Sequence, residues 1–174
     1  MKKKVYSKFL ITLILFIVNF LNLHALDSNA QCYLFHSSGM AVSSTSDRPK
    51  LADFDGSESQ KFIFIKSGSY FIIKSMTTDL NIAKTGTWDT EFSTSTGNVA
   101  KFTIESGGGD YFKLKCADNN LYLGTDETDS GSSIYSDKNG KETLHLWYVR
   151  FISDKEIVTD GLRTRSEERR VGKE

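Results

Sequence analysis

The sequence predicts an all-β fold, a closed barrel assembled from three like units of about 40 residues. Three observations carry this. A motif recurs: Tyr70-Phe71-Ile72-Ile73-Lys74 returns 41 residues later as Tyr111-Phe112-Lys113-Leu114-Lys115, and Leu80-Asn81-Ile82 returns at the same shift as Leu121-Tyr122-Leu123. The apolar stretches are short, β-branched or aromatic, and stopped by Ser, Gly, Asn and Asp, a pattern of strands and not of helical repeats. The length, 174 residues at 39% apolar with 13 Gly, 1 Pro and 2 Cys, suits one domain better than two. A unit of about four short strands cannot bury its apolar face alone, so the three must close on one another. A propeller would need about four blades or more.

The chain opens with a segment of a different kind. Lys2, Lys3, Lys4 and Lys8 precede an apolar run of 15 residues, Phe9 to Leu23, and Ser28-Asn29-Ala30 supplies a small-x-small cleavage site before Gln31. Residues 1–30 are therefore expected to be a helical signal peptide. Ala25 offers a second cleavage point. The run falls short of the roughly 20 residues of a bilayer span, and Gln31 rather than a small residue precedes Cys32, which argues against a lipid anchor.

The first unit follows with Tyr33-Leu34-Phe35, Met40-Ala41-Val42 and a closing strand at Phe62-Ile63-Phe64. Ser67-Gly68-Ser69 turns the chain into the second unit, which closes at Phe102-Thr103-Ile104. Ser106-Gly107-Gly108-Gly109-Asp110 leads into the third, which closes at Trp147-Tyr148-Val149. Glycine in such turns permits positive φ without steric cost. Met40 to Phe62 and Leu80 to Phe102 both span 22 residues, but Leu121 to Trp147 spans 26, so the third unit carries an insertion of four. With the tyrosines aligned, the first unit is three residues shorter before its second strand. Period-two spacing directs Met40 and Val42, Leu80 and Ile82, and Leu121 and Leu123 inward with Phe62, Phe102 and Trp147. Residues 154–162 read as a linker to a downstream domain. Residues 163–174 read as a non-native or disordered tail, since RSEERRVGKE has no apolar period and resembles read-through from a truncated reading frame.

The formal net charge of zero conceals segregation. Of 22 bases and 22 acids, four and one lie in 1–30 and five and three in 163–174, which leaves 13 and 18, net −5, for the middle. Such a domain has no electrostatic footprint for nucleic acid or an anionic membrane.

The triplets Gln60-Lys61-Phe62, Ala100-Lys101-Phe102 and His145-Leu146-Trp147 sit at the three unit ends. In that register the chain resembles a ricin-type β-trefoil, whose repeats end in Gln-x-Trp; one unit keeps the glutamine and one the tryptophan. The resemblance covers 31–153 and implies a carbohydrate-binding module without catalytic activity. A sugar presents hydroxyls that need donors and acceptors and a C–H face that stacks on a ring. The positions the resemblance implies for this are Asp126, Tyr135 and Asn139 or Asp137 in the third unit. In the second unit Lys84-Thr85 takes the acid's place, with Trp88 and Asp89 following. In the first it is Ser43-Ser44, with Asp47 behind. Trp88 stands in a polar stretch outside the repeat core, which calls for burial elsewhere or a ligand.

Other chemistry is thin. His24 lies in the signal segment, His36 in an opening turn and His145 in a triplet, and no Ser-His-Asp or Cys-His grouping forms. Cys32 and His36 are two ligands, short of a metal site. Asp53-Phe54-Asp55-Gly56, Asp126-Glu127-Thr128-Asp129 and Asp137-Lys138-Asn139-Gly140 read as turns, since none matches a calcium loop. No cofactor and no metal are expected. An exported chain permits a disulfide between Cys32 and Cys116 that would close 84 residues, although Cys116 aligns with Ser75 at a strand end while Cys32 precedes its strand. The functional expectation is a monomeric, secreted, periplasmic or cell-surface glycan-binding module. It binds no nucleic acid and, after signal cleavage, no membrane. It would form the N-terminal part of a longer glycan-targeting protein, whose downstream part is open to being a glycoside hydrolase. The alternative is a protein-binding trefoil, inhibitor- or scaffold-like, with no sugar site.

Overall fold

The computed structural model describes residues 30–138 and 142–152, with backbone alone at 137, 138, 142 and 143. The expected signal helix, linker and tail, and Asn139, lie outside these residues.

Twelve antiparallel strands follow in order: β1 (Gln31–His36), β2 (Ala41–Ser43), β3 (Lys50–Ala52), β4 (Lys61–Ser67), β5 (Tyr70–Ser75), β6 (Asn81–Lys84), β7 (Thr90–Ser93), β8 (Phe102–Gly108), β9 (Tyr111–Cys116), β10 (Tyr122–Thr125), β11 (Ile134–Lys138) and β12 (Trp147–Phe151). Six of them pair in a ring, β1–β4–β5–β8–β9–β12 and back to β1, which closes a barrel and leaves it no edge. The other six form three hairpins, β2–β3, β6–β7 and β10–β11. The hairpins hold one another: Phe92 N–H donates to Asp47 O, Leu51 N–H to Ser132 O and Ser136 N–H to Trp88 O, at 2.9, 2.8 and 2.7 Å.

The threefold register is explicit in the pairing. Phe62 lies between Cys32 and Ser75, Phe102 between Phe71 and Cys116, and Trp147 between Phe112 and His36. All three large residues are fully buried, with Val42, Ile82 and Leu123 beside them, and the Trp147 indole N–H donates to Leu123 O at 2.8 Å. Met40 and Leu80 pack partly buried against this core. Trp147 is thus a core residue, as its register predicts.

The same register corrects the alignment of the opening strands. Cys32, Phe71 and Phe112 occupy one position, so Gln31, not Tyr33, corresponds to Tyr70 and Tyr111. The first unit is shorter by a single residue, in the turn: His36 N–H donates to Met40 O, whereas Ser75 and Cys116 N–H donate to Leu80 O and Leu121 O, five residues on. The tyrosines misled because they lie on the outer side of the strands, where the core does not constrain them. Before each second strand stands a residue at positive φ, Gly39 (92°), Asp79 (59°) and Asn120 (59°), the residue types that tolerate that region. The third unit's insertion falls partly between β10 and β11, where eight residues connect the strands against five between β6 and β7.

Each closing strand is preceded by a 3-10 turn, Glu58–Gln60, Asn98–Ala100 or Glu142–His145, that carries the first residue of the triplet inward; Gln60, Ala100 and His145 are all buried. Gln60 shows the purpose of an amide there. Its Oε1 accepts from Asp55 and Gly56 N–H, both at 3.1 Å, and its Nε2 donates to Asp53 O at 2.7 Å, so one side chain fixes the loop after β3.

The disulfide allowed by the sequence is not made: Cys32 and Cys116 are free, buried thiols. Cys116 sits four residues along β9 from Phe112, the repeat equivalent of Cys32, which is roughly 13 Å of strand on top of the rotation between units. Cys32 Sγ instead donates to Phe62 O at 3.5 Å, and burial pushes its thiol from 9.0 up to about 12.

Two predictions follow from this packing. Phe102→Ala should cost about 3–5 kcal/mol in chemical denaturation, and a loss below about 1 kcal/mol would contradict a shared core. A thiol reagent at about pH 8 should leave the native protein unmodified and label both cysteines once urea unfolds it. The raised Cys32 value makes its stabilising contribution complete below about pH 9 and lost as pH climbs toward about 12.

Candidate functional site

The β10–β11 hairpin of the third unit is built so that one side faces the core and the other faces out. Leu123 and Thr125 are buried, and the alternation along β10 puts Tyr122 and Gly124 on the opposite side, with Asp126 following the strand in a bend. Gly124 pairs with Tyr135, so Tyr135 shares that outer side with Tyr122 and Gly124. Asp126 is exposed and Tyr135 half-buried. The 3-10 turn before β12 walls the site: a Cβ on Gly124 would lie 2.6 Å from Leu144 O and also strike the His145 ring. Glycine here is required by close approach, and it lets His145 cover the strand.

Thr125 sets the entry of the long β10–β11 loop. Its hydroxyl donates to Glu127 O at 2.6 Å and also lies 3.1 Å from Ser133 O. Gly131 N–H donates to Leu51 O at 2.7 Å, which ties the loop to the first unit.

The repeat comparison singles out this unit. Ser43, Ala83 and Gly124 are equivalent, each following the core residue of its hairpin, and the residues opposite them are Lys50, Glu91 and Tyr135. Only the third unit places a ring there.

The tip of the second hairpin reaches the same strand. Asp89 bridges to Tyr135 through the backbone, so residues 88–89 and 135–136 are brought together. Trp88 is 58% exposed, the most exposed of the described large apolar side chains. The Asp89 carboxylate accepts from Arg48 at 3.1 Å, an ion pair about half in solvent and therefore of small energetic weight. Of the six expected residues, Trp88, Asp89 and Tyr135 meet through the backbone, and Asp126 follows β10, whose Gly124 pairs with Tyr135; Asp137 lies on β11 with its side chain outside the description, as does all of Asn139.

Sequence reasoning passed over Tyr122 and His145, whose rings lie 6.2 Å apart beside Gly124. Strand alternation from the core residue Leu123 would have placed Tyr122 on the outer side. Its hydroxyl donates to Glu105 Oε2 at 2.8 Å, and that bond, with some desolvation, raises the phenol above its usual value. The Lys113 and Lys115 ammonium groups stand 5.7 and 5.8 Å from its ring centre. Among the described residues no three His, Cys, Asp or Glu side chains converge as metal ligands.

Six barrel strands, three hairpins and threefold register appear together in known folds. The fold is a β-trefoil. A designed threefold-symmetric protein, ThreeFoil, matches with a TM-score of 0.60 at 17% identity, over 70% of this chain and 99% of that one. A Macrolepiota procera ricin B-like lectin, solved with lactose, matches at 0.63 and 11%, over 72% and 98%. An exo-β-1,3-galactanase from Clostridium thermocellum matches at 0.60 and 17%, over 72% of this chain but 31% of its own. This chain therefore spans nearly the whole of that lectin and about a third of that enzyme. No family model and no curated protein matches the sequence.

The close approach at Gly124 yields its own test. Gly124→Ala should destabilise the trefoil by about 1–3 kcal/mol through overpacking, read by thermal or urea unfolding. An unchanged midpoint would show that the turn before β12 does not press on β10.

Proposed function

We propose that this chain is a saccharide-binding trefoil module whose working site is the outer face of the third unit's hairpin. One observation carries the reading: at the equivalent hairpin positions the chain has Lys50, Glu91 and Tyr135, and the ring stands on the hairpin whose β10 strand leads directly into the exposed Asp126. The ring offers a platform for a sugar's C–H face and Asp126 accepts from its hydroxyls, a division of labour that polar, ring-faced ligands need. Trp88, held at the edge of β11 by its neighbour's bridge to Tyr135, extends the platform. The occurrence of this fold in a lectin solved with lactose supports the reading. The module's role is adhesion to substrate. The basic and apolar opening segment supports export, and a downstream enzyme would gain local substrate concentration from such a module.

The test is a glycan array probed with the exported protein. Binding should fall about tenfold, near 1.4 kcal/mol, in Asp126→Ala, and about three- to tenfold in Tyr135→Ala or Trp88→Ala, the worth of a stacked ring. Free sugar should compete. Absence of binding on the array, together with capture of a protein partner that free sugar does not displace, would replace this reading with a protein-binding trefoil.

A further inference from the structure

Three outer seams of the barrel are equivalent by register: β4–β5, β8–β9 and β12–β1. On the first, Ile63 faces Lys74 and Ile65 faces Ile72; on the second, Thr103 faces Lys115 and Glu105 faces Lys113. The third breaks the pattern with Tyr148 facing Phe35 and Arg150 facing Tyr33. Phe35 and Tyr148 stack with centroids 4.9 Å apart and planes 7° from parallel. Phe54, from the loop latched by Gln60, closes over them at 4.9 Å from Tyr33 and 5.1 Å from Phe35, and Tyr111 meets Tyr148 edge-on at 5.9 Å. The Arg150 guanidinium carbon lies 4.3 Å from the Phe54 ring centre and 5.3 and 5.5 Å from those of Tyr33 and Phe35.

Arg150 is exposed and, among the described residues, has no carboxylate partner, whereas the other described arginine, Arg48, pairs with Asp89. Its cation is held by rings, and its forked N–H donors are left for a planar oxyanion. Phe54 is 39% exposed, so ring surface remains beside the guanidinium, and Tyr111, 38% exposed, carries the aromatic surface on past Tyr148. In a segment of net −5 (residues 31–162), an exposed arginine that forms no ion pair among the described residues is the local feature that selects an anion.

We propose that this patch is a second ligand site, for an acidic sugar residue such as a hexuronate. The carboxylate accepts both forks of Arg150, and the sugar's C–H face lies on Phe54. The site shares no residue with the third unit's hairpin and does not depend on it.

The experiment is titration of the exported protein with tetragalacturonic acid and, as the neutral control, its methyl ester. The acid should bind about tenfold or more tightly than the ester and weaken as salt rises. Arg150→Gln and Phe54→Ala should each lose about tenfold with the Arg150→Gln melting temperature unchanged, and Asp126→Ala should bind the acid as the native chain does. Equal binding of acid and ester, no binding of either, or full binding by Arg150→Gln would overturn the proposal. Loss of acid binding in Asp126→Ala would move the ligand to the hairpin and also overturn it. Failure of the hairpin site alone would appear as intact acid binding with an empty glycan array.

Discussion

Mutual burial of Phe62, Phe102 and Trp147 is the constraint on which the rest of the molecule depends. Each is worth roughly 1.5–3 kcal/mol removed from water, and none can be removed from water by its own unit. The apolar face of one unit is completed only by the other two, so barrel closure and hairpin packing are one cooperative event. Trp147 adds a second requirement, since its indole N–H must find Leu123 O as the ring goes in. The hairpins inherit their positions from this core and then bond to each other around the axis.

Threefold likeness is kept where packing demands it and abandoned elsewhere. Inside, Cys32, Phe71 and Phe112 fill one level, and Val42, Ile82 and Leu123 another. At the triplet position the demand is only for something buried, so Gln60, Ala100 and His145 coexist, each with a different consequence. Gln60 latches a loop, Ala100 merely fills, and His145 presses on a glycine. On the outer faces nothing enforces likeness, and there the units part company: Tyr135 against Lys50 and Glu91, and Arg150 with its rings against isoleucines and an acid. The chemistry that could engage a ligand sits where symmetry has been released.

Legibility follows the same division. The strands and the core were readable because alternation and repeat spacing are consequences of burial. Asp126 and Tyr135, nine residues apart at one hairpin, were reached through the family resemblance, which supplies positions where residue type alone does not. The opening tyrosines were misaligned because they face outward, where the register leaves no trace in residue type. A Cys32–Cys116 bond was open to the sequence because neighbouring units of a barrel do not reveal how far along its strand each residue stands.

By itself, the sequence determined an all-β chain in three units, most of its buried residues, though not Leu121, which stays outside the core, and a third unit chemically unlike the others, since local periodicity and hydrophobicity are written in the order of residues. Only the tertiary structure decided that Trp88 and Asp89 reach Tyr135, that both thiols stay apart, and that Tyr33, Phe35, Phe54, Tyr148 and Arg150 form one surface. Those residues come from the two ends of the described domain, and they meet because β1 and β12 must pair to close the barrel, a contact that no local pattern encodes.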